Sequence, residues 1–279
     1  MKPFVTHLAR PFVLIAAAAL CMAQTPPPAA PAAAETAATP SVDDVINHYI
    51  QALGGRDAIA KFTSTTEKGT FEAPDFGVSG PMEIYAKTGD KTFMTIDIAG
   101  FGTVRRGYDG KIGWADDPQA GLRDLAGDEL ADIKRQAAYN GELRIAEIYP
   151  NLVEKGSDKV NGHDAWVLET TIDDLKHRFY FDSTSWLLVR QDEEVKVQDG
   201  KGTAVTYLAD YKPVDGVQVP FSMTMNSPQM NFNMKLSDVK HNEAIDDAKF
   251  VKPSGDETKP AETAKPADTA KPADAPPGK

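Results

Sequence analysis

The sequence predicts a mainly β fold with helices (α+β), a strongly curved antiparallel half-barrel of about 10–11 strands with helices covering its concave face. Three observations lead there. Apolar and polar residues alternate with period 2 across many short segments separated by turn pairs such as Asn161-Gly162, Asp199-Gly200 and Asp215-Gly216. Two amphipathic helical stretches each carry an apolar stripe that must be buried. A sheet of that many strands is too wide to stay flat, and curling gives it a concave face for those stripes.

Taken in order, the domain opens with a helix. Ser41 is the expected N-cap, with Asp44 three residues on, and Val42, Val45, Ile46, Tyr49, Ile50 and Leu53 form one stripe that Gly54-Gly55 ends. A short helical piece is expected over 56–62. Strands follow over 64–72, 78–87, 91–99 and 102–108, and Asp109-Gly110 turns the chain into another at 111–114. A helical interlude covers roughly 117–150, and a β meander runs from there to the end of the domain. Its last hairpin is the most informative stretch. Phe221, Met223 and Met225 point one way, as do Met230, Phe232, Met234 and Leu236 after the turn at Ser227-Pro228. Four of the eight methionines of the chain share this one face.

The ends lie outside that domain. Lys2, His7 and Arg10 precede an apolar run from Phe12 to Leu20, shorter than the ~20 residues a bilayer span needs, so residues 1–23 read as a signal peptide cleaved after Ala23. Lipid anchoring at Cys21 is the alternative, disfavoured by Leu20 in front of it. Residues 24–40 are a Pro/Ala linker, 41–253 the domain, and 254–279 a Lys-Pro-Ala repeat tail whose composition predicts disorder. After cleavage the chain has neither a cysteine nor a segment able to span a membrane. The net charge of −11 argues against nucleic acid as a partner.

The chain carries a series of short motifs in a fixed order. The first helix ends in Leu53-Gly54-Gly55, Tyr108–Trp114 reads YDGKIGW, and VNGHDAWVLE, RFYFDSTSWLLVR, DYKPVDGVQVPF and a closing DDAKFVKP follow. Together they resemble the bacterial outer-membrane lipoprotein-sorting group of the LolA/LolB-like superfamily over nearly all of residues 41–253. The resemblance implies a periplasmic half-closed barrel capped by helices, a hydrophobic cavity for acyl chains of a lipid or lipoprotein, and an arginine near the cavity mouth, for which Arg105 and Arg106 are the candidates.

That expectation gives the methionines a role. Methionine offers apolar area without a fixed shape, which suits chains of variable length. The expected ligand surface is Phe221, Met223, Met225, Met230, Phe232, Met234 and Leu236, completed by Met82, Ile84, Met94 and Ile96 from the early strands. Two alternatives stand beside it: an envelope interaction or sensor domain with a protein partner, its cavity filled by its own side chains, and a thioether site for Cu(I). The sequence has no HExxH, GxSxG, phosphate-binding loop or paired-cysteine spacing, so neither a catalytic role nor a cofactor is expected. His177, between Lys176 and Arg178, is expected on an exposed strand start, and Glu193-Glu194 on a solvated face. Trp114, Trp166 and Trp186 are expected on strands, the last in a central strand covered on both sides.

Overall fold

The computed structural model describes residues 39–254. The predicted signal peptide, the linker up to residue 38 and the repeat tail from residue 255 lie outside the described residues.

Thirteen antiparallel strands form one open sheet. The first six are β1 (Ser64–Ala73), β2 (Val78–Lys87), β3 (Lys91–Ile98), β4 (Gly102–Tyr108), β5 (Gly113–Asp116) and β6 (Arg123–Asp124). The other seven are β7 (Val153–Val160), β8 (His163–Ile172), β9 (Leu175–Asp182), β10 (Leu188–Val197), β11 (Gly200–Val214), β12 (Val217–Asn226) and β13 (Phe232–His241). The count exceeds the expected one partly because the stretch read as wholly helical contains β6. Among the described residues four α-helices accompany the sheet: α1 (Val42–Leu53), α2 (Arg56–Ile59), α3 (Gly127–Ala137) and α4 (Ile145–Ile148). None of the described helices is long and apolar enough to cross a membrane.

The strand order is β6-β5-β4-β3-β2-β1-β13-β12-β11-β10-β9-β8-β7. The chain walks outward from β1 to one edge, crosses through the helical insert to the opposite edge, and walks back until β13 pairs with β1. The middle of the sheet is therefore its most non-local seam, Thr65 lying opposite His241. A bulge at that seam skips Ser237, so that Leu236 pairs with Gly69 and Val239 with Glu67, and both face the same side.

Pairing register identifies the concave side. Gly113 pairs with Tyr108, Tyr108 with Thr92, Thr92 with Ala86 and Ala86 with Thr65, which places all five on one face. A side chain at Gly113 would meet Leu130 and Ile133 of α3, and the Thr65 hydroxyl lies 3.2 Å from the Tyr139 hydroxyl in the insert. The same face farther along carries Leu168, Phe179 and Phe181, buried against Val45, Tyr49, Ile50 and Leu53 of α1. The opposite, convex face has its own small core of Val160, Ala165, Val167 and Tyr180. It is closed near the other edge by the C-terminal turn at Asp247–Phe250, where Trp114 Nε1 donates to the Phe250 carbonyl at 2.9 Å.

Helix α1 has the expected capping box, with Ser41 Oγ accepting from Asp44 N and the Asp44 carboxylate accepting from Ser41 N. Its end is set by a close approach. Gly54 has φ 126°, and a Cβ there would fall on the Gly216 carbonyl oxygen in the β11–β12 turn. Gly54→Ala should therefore cost about 2–3 kcal/mol, from the unfavourable φ and the displaced turn together. Urea denaturation measures this, and an unchanged midpoint would show that the contact does not hold α1 to the sheet.

One expectation about the strands is corrected. Trp186 is not on a strand: it has φ 61°, and β10 begins at Leu188. The Asp182 carboxylate accepts from Thr184 N and Ser185 N, which lengthens the turn past Trp186. The Trp186 ring stacks instead on His48 of α1, with centroids 4.2 Å apart.

Candidate functional site: the concave face beneath the helical insert

The alternation of the last hairpin becomes a continuous apolar wall through cross-strand pairing. Met223 lies opposite Met234 and Met225 opposite Phe232. Met234 lies opposite Phe71, and Leu236 opposite Gly69. Gly69 in turn pairs with Met82, Met82 with Ile96, and Ile84 with Met94. This is the face that carries the helices.

Met82, Ile84, Met94, Ile96, Met230, Phe232, Met234 and Leu236 pack into one cluster with Phe71, Ala73 and Ile98. Met223 and Met225 share the face by register without joining that cluster. Phe221 is also outside it, its ring under the Lys212 ammonium at 4.4 Å. Of the predicted ligand-surface residues, only Met82 and Ile96 are sealed; Met94, Met223, Met225, Met230 and Met234 are half-buried and keep contact with solvent.

The two arginine candidates separate by parity. Arg105 points to the convex side, where its Nε donates to Asp116 at 3.1 Å. Arg106 lies opposite Met94 and Ala115, on the concave face. Its Nη2 donates to the Glu129 carbonyl of α3 at 3.2 Å, while its Nε is buried without a partner. Burial pulls its pKa down, and Asp132 and Glu129 oppose that.

Helix α3 spans from this side of the half-barrel to the other. Toward β4 and β5 it is held by apolar packing of Leu130, Ile133 and Ala137 against Tyr108, Ala115 and Leu125. Toward β10 its contacts are polar: Asp128 to Lys196 at 2.8 Å, and Arg135 to Glu193 at 3.7 Å. A cleft of about 330 Å³ remains between α3 and strands β9 and β10, bordered by Gln229 of the methionine hairpin.

Sequence reasoning missed the acid–base character of four residues, three on this face and Glu142 in the insert above it. His177 is buried, contrary to the expected exposed position, because Tyr149 of the insert covers it with ring centroids 5.7 Å apart. Burial, and then Arg135, push its pKa down to about 4, so its imidazole is neutral at neutral pH. Glu193 lies directly opposite His177 on the concave face and is half-buried, which corrects its expected place on a solvated face. Glu67 lies opposite Ile84 and Val239, between the methionine wall and the insert. It keeps partial solvent access, yet burial and then the Glu142 charge raise its pKa to about 7. Glu142 is raised by burial as well. Among the described residues neither Glu67 nor Glu142 is in an ion pair. The signal for Glu67 was present in the alternation Thr65, Glu67, Gly69, Phe71, Ala73, which places an acid on the apolar side of β1.

Among solved structures, a DUF1329 family protein from Desulfovibrio piger matches at TM-score 0.53 and 14% identity, covering 75% of this chain and 97% of its own. The half-barrel shares the fold of that protein. A LolA superfamily protein from Nitrosomonas europaea matches at TM-score 0.49 and 13% identity, covering 76% of this chain and 98% of its own. An outer-membrane lipoprotein-sorting protein domain from Vibrio parahaemolyticus matches at TM-score 0.47 and 14% identity, covering 67% and 89%. At such identities the likeness is one of fold. No protein-family model matches the chain. No curated protein matches it.

Proposed function

We propose that this LolA-like half-barrel is a periplasmic lipid- or lipoprotein-binding protein that holds acyl chains against its methionine wall, without covalent chemistry or a cofactor. The observation that carries the reading is the exposure of that wall. A row of methionines on the helix-bearing face is left half-buried, where a core serving stability alone would be sealed. Methionine adapts to flexible chains, and each ligand methylene buried there is worth roughly 0.8 kcal/mol. Six to eight methylenes give about 5–6 kcal/mol before ordering losses, which suits a protein that must also release its cargo. Arg106, on the same face with an unpartnered Nε, is the arginine of the pair placed to meet a polar headgroup or ester.

Native mass spectrometry of the full chain, exported and purified from a bacterial periplasm in mild conditions, tests the reading. The expected spectrum contains a population heavier than the apoprotein by the mass of a lipid, released by organic extraction. A uniformly unliganded protein that also takes up no fluorescent fatty-acid probe would favour an interaction domain with a self-filled interior.

A further inference from the structure

The cleft between α3 and strands β9 and β10 has a chemistry of its own. Six carboxylates line it against only Arg135 and Lys196, so its potential favours a cation. Most of these acids are already engaged: Asp128 by Lys196 at 2.8 Å, Glu129 by Arg123 at 2.7 Å, Asp132 by Arg135, and Glu194 by Lys201 at 3.4 Å. Glu193 accepts no hydrogen bond among the described residues, and its nearest cation, Arg135, is 3.7 Å away and committed to Asp132.

Directly across from Glu193 stands His177, only 1% exposed and part of the cleft lining. Its Nδ1 is buried without a partner, 3.7 Å from Glu193 Oε1. That spacing is too long for a direct hydrogen bond. A buried polar atom without a partner is destabilising, and a ligand donor would recover that loss. The imidazole is neutral at neutral pH, so with its proton on Nε2 the Nδ1 is an acceptor. Two acceptors facing one another across a gap, in an acidic cleft, match a group with several N–H donors and a positive charge. A primary ammonium has three such donors, and a phosphatidylglycerol headgroup has no N–H at all.

We propose that this cleft receives a primary ammonium group that bridges His177 Nδ1 and Glu193 Oε1 from the cleft side, and that the ammonium belongs to the headgroup of the lipid lying on the methionine wall. The second half rests on the acyl-chain reading above. The lipid source follows from adjacency. Gln229 borders the cleft, and the next residue, Met230, belongs to the apolar cluster, so a chain on the wall brings its head to the cleft.

The test compares soluble short-chain phosphatidylethanolamine with phosphatidylglycerol of the same chain length, by calorimetry on the full chain at neutral pH. Putrescine serves as a free amine and an uncharged alkyl fluorophore as a headgroup-free control. The wild type should prefer the ethanolamine lipid by about tenfold. Glu193→Gln, at a half-buried position, should bring the two lipids within about twofold while leaving uptake of the uncharged fluorophore unchanged. His177→Asn should weaken the same preference. Equal affinity for both lipids in the wild type, or a preference that survives Glu193→Gln, overturns the proposal. Putrescine binding as tightly as the ethanolamine lipid keeps the ammonium site and overturns its lipid source. If neither lipids nor fluorophore bind, the acyl-chain reading fails on its own. Putrescine binding that Glu193→Gln abolishes then upholds the ammonium site, and absence of putrescine binding overturns it.

Discussion

Replacing Met225 and Met234 together by Asp should abolish uptake of a fluorescent fatty-acid probe while leaving a folded protein. Both methionines point to the concave face and both are half-buried, so each carboxylate can reach water and avoid the large cost of a sealed charge. The melting temperature should fall by several degrees, from lost apolar contacts around Phe71 and Phe232. Probe affinity should fall at least tenfold, because two charges now stand where an apolar chain must lie. The contrasting substitution is Met82→Asp. Met82 is only 1% exposed within the same cluster, and an unpaired charge there should prevent folding. Wild-type probe binding and melting temperature in the double variant would show that the wall is not where the chain lies.

Glu67→Gln should stabilise the protein at neutral and alkaline pH, and the gain should vanish in acid. The folded pKa of Glu67 is raised from 4.5 to about 7, first by burial and then by the Glu142 charge. A carboxyl of that kind holds its proton in the folded state where the unfolded chain releases it. Its favourable contribution is therefore complete below pH 4.5 and is lost as pH rises through about 7. Linkage gives roughly 1.4 kcal/mol per pH unit, and partial solvent access reduces the total to about 2 kcal/mol at pH 8. Urea denaturation of both proteins at pH 4.5 and pH 8 measures it. A stability difference that is the same at both pH values would show that Glu67 is not desolvated within the half-barrel.

Most of the fold was legible because its signals are local. The Ser41–Asp44 capping box, the stop at Gly54-Gly55 and the turn pairs that separate β7 to β13 each act over a few residues. The methionine wall was legible for the same reason, since alternation commits a whole strand to one face or the other. The cleft was not legible, because its members come from distant parts of the chain. His177 looked exposed from its charged neighbours, Lys176 and Arg178, yet alternation sends those two outward and Tyr149 covers the side between them. Trp186 was misplaced because a five-residue turn over 183–187, capped by Asp182, takes residues that otherwise read as strand.

By itself the sequence determined that Met223, Met225, Phe232 and Met234 share a face and that α1 begins and ends where it does. Tertiary structure alone decided which face is concave. That choice follows from the insert crossing from β6 to β7 on one side of the sheet, and from β13 closing on β1 some 170 residues away. It made Arg106 the inward arginine, and it brought Glu193 and His177 beneath α3. The physical reason is one of range. Backbone propensity and alternation act between neighbours, whereas burial, desolvation and the unpaired Nδ1 of His177 exist only once strands distant in the chain have been packed beneath a helix.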